Sequence, residues 1–199
     1  MIIEYYYSVA SPFAYLGSKR FQDLVKKYKV EVLEKPCDLV GGIFPKTGGL
    51  PVPQRSPERQ KYRLDELKRW SEFLNIKLNL KPKFFPPTNP HLPNYFVIAS
   101  IKLGKKLILG HELLKNLWSD EKDISDIKVI EQACEKVGLS FKDLSQVTLS
   151  KENEIEYKKN TEEAIANGVF GAPTYIFDKE LFWGQDRINF LELAIQKKV

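Results

Sequence analysis

Apolar and polar positions along the chain fall into three regimes. Residues 2–7 are rich in β-branched and aromatic side chains, the make-up of a strand buried inside a sheet. After the short Ser8-Val9-Ala10 connection the pattern becomes helical: Phe13, Leu16, Phe21, Leu24, Val25 and Tyr28 are apolar, and Lys19, Arg20, Lys26 and Lys27 fall elsewhere. Ser11-Pro12 marks the helix start, because a serine hydroxyl caps an unpaired N–H and proline lacks the N–H that the first turn cannot use. Residues 30–34 alternate as a second strand, ended by Pro36. At the other end, residues 154–167 read as a polar helix stopped by Gly168. Residues 174–177 and 181–183 read as a hairpin turned by Asp178-Lys179-Glu180, and residues 186–198 as a terminal helix. The middle carries helical patterns at 57–74, 94–103, 106–118, 124–137 and 140–145, broken by a proline-dense crossing over 81–93.

The element order is β-α-β at one end, β-β-α at the other, and helices between. That is the thioredoxin order, so an α/β thioredoxin-like fold interrupted by a large all-helical insertion is expected. Residues 1–50 and 160–199 would form the thioredoxin-like part and residues 51–159 the insertion, a reasonable size division for 199 residues. Two cysteines, Cys37 and Cys134, rule out a disulfide scaffold or a Cys-rich zinc module. The net charge of +5 does not make a nucleic-acid binder but suits small anions. No stretch approaches the ~20 apolar residues of a membrane span. The N-terminus reads as a core strand rather than a signal peptide, which favours a cytoplasmic protein with reduced thiols.

Three segments are candidates for chemistry. Ser11-Pro12-Phe13-Ala14 lies at a helix N-terminus, where backbone N–H groups favour an anion. Thioredoxin-type enzymes carry Cys-x-x-Cys at this turn; with Ser11 and Ala14 in those places, dithiol chemistry is excluded. A hydroxyl here could lower the pKa of a bound thiol, although by itself the turn reads most simply as a capped helix. Gly171-Ala172-Pro173-Thr174 sits where a cis proline belongs in this topology. Gly184-Gln185-Asp186-Arg187 opens the terminal helix; Asp186 is a cap or the partner of a ligand ammonium. Cys37 and Cys134 read as buried thiols, Cys37 beside Pro36 being the more exposed prospect, and His91 and His111 are isolated. Gly41-Gly42 and Gly48-Gly49 read as a mobile loop, a candidate active-site flap.

Ser11-Pro12-Phe13-Ala14-Tyr15-Leu16, Val169-Phe170-Gly171-Ala172-Pro173-Thr174 and Trp183-Gly184-Gln185-Asp186-Arg187 together resemble the 2-hydroxychromene-2-carboxylate isomerases. These are relatives of kappa-class glutathione transferases in the DsbA-like thioredoxin superfamily. The resemblance runs from about residue 2 to residue 195. It implies a glutathione-dependent isomerase of aromatic degradation, with Ser11 as the catalytic residue that stabilises the cofactor thiolate. Pro12 and Phe13 would flank the thiol, and Ala172, before a cis Pro173, would pair with its backbone. Gln185 and Asp186 would hold the γ-glutamyl end, and Arg59, with Lys61 behind it, the glycyl carboxylate. Phe85-Pro86-Pro87-Thr88-Asn89 resembles the family's substrate-side segment, which makes Phe85 and Asn89 substrate contacts for an aromatic carboxylate. The family also implies a homodimer. Departures are Gln185 where many members have Asn, no Asn in the loop before the insertion, and no Arg after the Phe-Pro segment.

Two other readings remain open at this level. A kappa-like glutathione transferase or peroxidase would consume the thiol rather than return it. A non-catalytic thioredoxin-like module would bind an extended peptide at the same surface.

Overall fold

The computed structural model describes residues 1–148 and 150–198. Four strands form one sheet in the order β2-β1-β3-β4. β1 (Ile2–Tyr7) lies inside it, parallel to β2 (Glu31–Pro36) and antiparallel to β3 (Thr174–Phe177), which pairs antiparallel with the edge strand β4 (Glu180–Trp183). The α1 helix (Pro12–Tyr28) makes the crossover between β1 and β2 that a parallel pair requires. A thioredoxin-like sheet is thus assembled from both ends of the chain.

Alternation along β1 sends Ile3, Tyr5 and Tyr7 into one core with Phe21, Leu24, Leu191 and Ile195. Tyr6 points the other way, into a smaller cluster with Cys37, Ile43, Ala164 and Val169. The aromatic rings of the main core are ordered. Tyr5 stacks on Tyr7 at 4.4 Å and on Tyr175 at 5.2 Å, and Phe21 tilts against Tyr5 and Tyr175 at 4.7 Å each. Such pairs add ~0.5–1.5 kcal/mol each beyond the area they bury.

The insertion is helical, as the pattern predicts: α3 (Pro57–Phe73), α4 (His91–Lys102), α5 (Ile108–Trp118), α6 (Ile127–Lys136) and α7 (Phe141–Thr148), followed by α8 (Lys151–Ala166). Its core residues, among them Phe96, Leu113, Trp118 and Ile130, belong to the same cluster as Tyr5 and Phe21. Several boundaries differ from the periodicity. α5 begins at Ile108 because Leu107 takes a left-handed φ of 68°, and α6 begins at Ile127 because Asp126 accepts from the Lys128 N–H at 2.9 Å. α8 starts at Lys151, a turn earlier than residue 154.

The expectation of a loop is corrected at Gly41-Gly42, while Gly48-Gly49 do lie in a turn, just after the helical residues 44–47. Residues Leu39–Ile43 form a π-helical turn capped by Asp38, which accepts from the Gly41 N–H at 2.9 Å. The short α2 (Phe44–Thr47) continues it. Burial of Ile43 and Phe44 anchors this turn, and Gly42 and Gly49 are there because Thr161 and the Phe44 ring occupy the space of a side chain. The terminal helix α9 (Ile188–Gln196) follows a 3₁₀ turn over Gln185–Arg187.

One carboxylate ties sheet to insertion. Buried Glu34 of β2 accepts from the Tyr7 hydroxyl at 2.6 Å and from the Leu107 N–H at 2.6 Å, while Lys106 donates to the Val32 carbonyl at 2.8 Å. Burial raises its carboxyl from 4.5 to about 7, against the pull of those donors and of Lys106. The folded protein therefore holds a proton that the unfolded chain releases between pH 4.5 and 7. This contribution to stability is full at the acid end of that window and lost as pH rises through it. Thermal melts of the wild type between pH 4.5 and 7 are expected to show that loss, and Glu34→Gln to flatten it. An unchanged pH slope in the variant would contradict this account of Glu34.

Candidate active site

The site begins where β1 ends. Ser8 turns the chain, accepting from the Ser11 N–H through its carbonyl at 2.9 Å and from the Ala10 N–H through its hydroxyl at 3.3 Å. Ser11 then caps α1. It sits in extended backbone at φ −84° and ψ 119°, its Oγ accepts from the Ala14 N–H at 3.2 Å, and Pro12 occupies the first turn. No acidic side chain lies in that first turn, while Lys26 and Lys27 lie in the last. The positive end of the helix dipole is left uncompensated at Ser11, a place that favours an anion. Ser11 is 7 % exposed and Phe13 is half-buried.

Across from this turn runs the segment before β3. The Ala172–Pro173 peptide is cis, and the Ser11 Oγ donates to the Ala172 carbonyl in a long contact of 3.4 Å. The structure thus brings Ser11 and Ala172 together over 161 residues of sequence. The Pro173 carbonyl accepts from the Gly184 N–H at 2.8 Å, which draws the start of the 3₁₀ turn alongside. Gly171 is required because the Trp183 indole fills the space of a side chain.

The remaining expected residues are placed as follows. Gln185 is 1 % exposed and its Oε1 already accepts from Arg20 at 3.1 Å, with the Gln185 carbonyl accepting from the same guanidinium at 3.3 Å. Its Cβ packs where Gly17 leaves room. Asp186 is half-exposed and pairs with Arg187 at 3.0 Å. Arg59 is exposed on α3, its N–H donating to the Ser56 cap at 3.4 Å. Lys61 is in a surface ion pair with Asp65 at 2.8 Å. Phe85 precedes a second cis proline, Pro86, and packs on Trp118 at 4.8 Å. Asn89 works as a cap for α4: its Oδ1 accepts from the N–H groups of His91 and Leu92 at 3.3 and 3.2 Å.

The sequence reading passes over three contributors. Fully buried Asn94 accepts from the Val9 N–H at 3.3 Å and donates to the Pro90 carbonyl at 2.7 Å, which fixes the turn that leads into Ser11. Its place in an otherwise apolar helix run is the signal that could have singled it out. Arg20 fixes Gln185 and also donates to Asn189 at 2.9 Å. Arg63 packs on Phe85, its guanidinium 5.6 Å from the ring centroid.

Neither cysteine can act as the nucleophile. Both are buried, and burial pushes each thiol up to about 12. Cys37 Sγ also donates to the Tyr7 carbonyl at 3.5 Å. Among the described residues no group of three or more His, Cys, Asp and Glu is arranged to hold a metal ion, and no helix is long and apolar enough to cross a membrane.

Comparison with known proteins places this geometry. The 2-hydroxychromene-2-carboxylate isomerase of Sphingobium xenophagum is 24 % identical over 190 residues, 96 % of this chain and 95 % of that one. Glutathione S-transferase kappa 1 of Rattus norvegicus is 23 % identical over 212 residues, 99 % of this chain and 92 % of that one. A solved structure of a 2-hydroxychromene-2-carboxylate isomerase aligns with a TM-score of 0.79 at 22 % identity, covering 99 % of this chain and 95 % of that one. The profile of the DSBA-like thioredoxin domain matches residues 2–196. With β1, the capped α1 and the cis proline all in the positions that fold demands, the chain belongs to the DSBA-like thioredoxin domain family.

Proposed function

We propose that this protein is a glutathione-dependent isomerase of the 2-hydroxychromene-2-carboxylate type, acting on an aromatic carboxylate with a conjugated double bond. The observation that carries the reading is Ser11: a serine, in place of a cysteine, at an acid-free helix N-terminus facing Ala172 and cis Pro173. Its likeness over nearly full length to isomerases of that name supports the same reading. Glutathione, when bound, supplies a thiolate that adds reversibly to the double bond and leaves again, so that rotation occurs about a transient single bond.

The residues present fit such a thiol. A free thiol has a pKa of about 8.5, and helix N–H groups lower it. Ser11 has one proton to give, and in this structure it is spent on the 3.4 Å contact to Ala172, a weak hold that a thiolate would outbid. The Ala172 backbone, freed from Ser11, pairs with the ligand's own backbone. Asp186, half-exposed beside Gly184, is the acceptor for the γ-glutamyl ammonium, and Arg59 the donor to the glycyl carboxylate. Gln185 contributes through its free carboxamide N–H₂, since Arg20 already holds its oxygen. The structural role of Asn89 as a helix cap leaves its own N–H₂ for a substrate.

A kappa-type transferase is the second reading, favoured by the similar coverage of those relatives. There the thiol is consumed in a conjugate.

Two measurements test the proposal. Glutathione titration with conversion of a hydroxychromene carboxylate should show catalysis at substoichiometric thiol, and Ser11→Ala should lower turnover ~100-fold, the usual scale for one lost donor to a developing anion. Stoichiometric loss of thiol would favour the transferase; no glutathione binding at all would remove both. Asn94→Leu leaves the Val9 N–H without a partner and takes the side-chain donor from the Pro90 carbonyl, and should cost about 1–3 kcal/mol of stability in chemical denaturation, with weaker glutathione binding because the Ser11 turn loosens.

A further inference from the structure

Three arginines recur at intervals of four along residues 55–63. Arg55 precedes α3, and Arg59 and Arg63 lie on it. Two of them are held in place by aromatic rings. Arg55 lies over Phe44 at 5.9 Å, and Arg63 lies over both Phe85 and Trp118 at 5.6 and 5.8 Å. Stacking of this kind orients a guanidinium plane and leaves its N–H edge free. The Arg55 Nε donates to the Leu50 carbonyl at 2.8 Å. Among the described residues no carboxylate lies within 4.0 Å of Arg55 or Arg63, and Arg63 donates to nothing.

Burying cations without anions is costly. Burial, with the charge of Arg55 adding to it, lowers the Arg63 pKa to about 10; burial and Arg59 act in the same direction on Arg55. Lysine-rich surface elsewhere is different: Lys19, Lys27, Lys35, Lys61 and Lys115 each have a carboxylate within 3.0 Å. At Arg55 and Arg63 the chain accepts mutual repulsion in a partly dry place and supplies no acid to relieve it. An anion from outside relieves both costs together.

We propose that Arg63, assisted by Arg55, forms the binding site for the carboxylate of a flat, conjugated acid. A guanidinium fork matches a carboxylate, Arg55 is near enough for its charge to act on Arg63, and the half-buried Phe85 ring beside Arg63 offers an apolar face to the rest of the ligand. The residue sets the choice of substrate rather than the chemistry of the thiol. It rests on the isomerase reading only for the identity of the acid.

The test needs neither glutathione nor turnover. trans-Cinnamate and its methyl ester are titrated by calorimetry into the wild type, Arg63→Gln, Arg63→Lys, Arg55→Gln and, as a control on the same helix, Lys68→Gln. Cinnamate should bind the wild type at least ~10-fold more tightly than the ester, and Arg63→Gln should weaken cinnamate ~30-fold without affecting the ester, as expected for charged hydrogen bonds. Arg55→Gln should cost ~5-fold on the same scale, Arg63→Lys should fall between, and Lys68→Gln should match the wild type. The assignment is overturned if acid and ester bind alike, if the wild type does not bind cinnamate, if inorganic phosphate binds more tightly than cinnamate, or if Arg63→Gln and Arg55→Gln both behave as wild type. An enzyme that binds cinnamate as described but turns over no hydroxychromene carboxylate would sink the isomerase reading and leave this site standing.

Discussion

The constraint on which the rest depends is the double burial of β1. Its backbone pairs with a strand from each end of the chain, and its side chains enter a core on each face. Helices from both parts of the chain pack on this strand, because α1, α4, α5 and α9 all contribute to the core that Tyr5 and Tyr7 organise. The strand's exit also defines the site. Ser8 turns, Val9 is held by Asn94, and Ser11 emerges as the cap of α1 within reach of Ala172. Position is thus transmitted from sheet to hydroxyl through three hydrogen bonds rather than through a long loop.

Much of this was legible in the sequence, and the legible parts share a cause. Residues 2–7 and 174–177 are short, apolar and bounded by turn chemistry, so their pattern and their burial agree. Ser11-Pro12 and Gly171-Ala172-Pro173 carry their geometry in residue type alone. The insertion was legible only as helix. Where its helices begin is decided by local caps such as Asp126 and by tertiary contacts such as Glu34 drawing in the Leu107 N–H, and periodicity holds no record of either.

The first glycine pair misled for a related reason. Gly41-Gly42 and Gly48-Gly49 resemble flexible linkers, yet Gly42 and Gly49 give up their side chains so that Thr161 and Phe44 can approach. Arg63 was hidden in another way. A helix as charged as α3 reads as a solvated face, and only the positions of Phe85 and Trp118 single out one arginine that is partly buried. Asn94 stands out as a polar residue in an apolar run, but nothing in that run names Val9 as its partner. In each case the missing information is which residue stands opposite, a long-range property.

Cys37 and Cys134 have a consequence of a different order. Oxidants attack thiolates, and reactivity requires both exposure and a low pKa. Both thiols of this chain are buried and raised to about 12, so neither offers a foothold to peroxide or to a mixed disulfide. A relative with cysteine at the active turn carries its redox vulnerability in its own sequence. Here the turn carries a hydroxyl, which such reagents leave alone. If the site borrows its thiol as proposed, oxidative stress reaches it only through the pool of that thiol, and the site recovers as soon as the pool does, with no protein to repair.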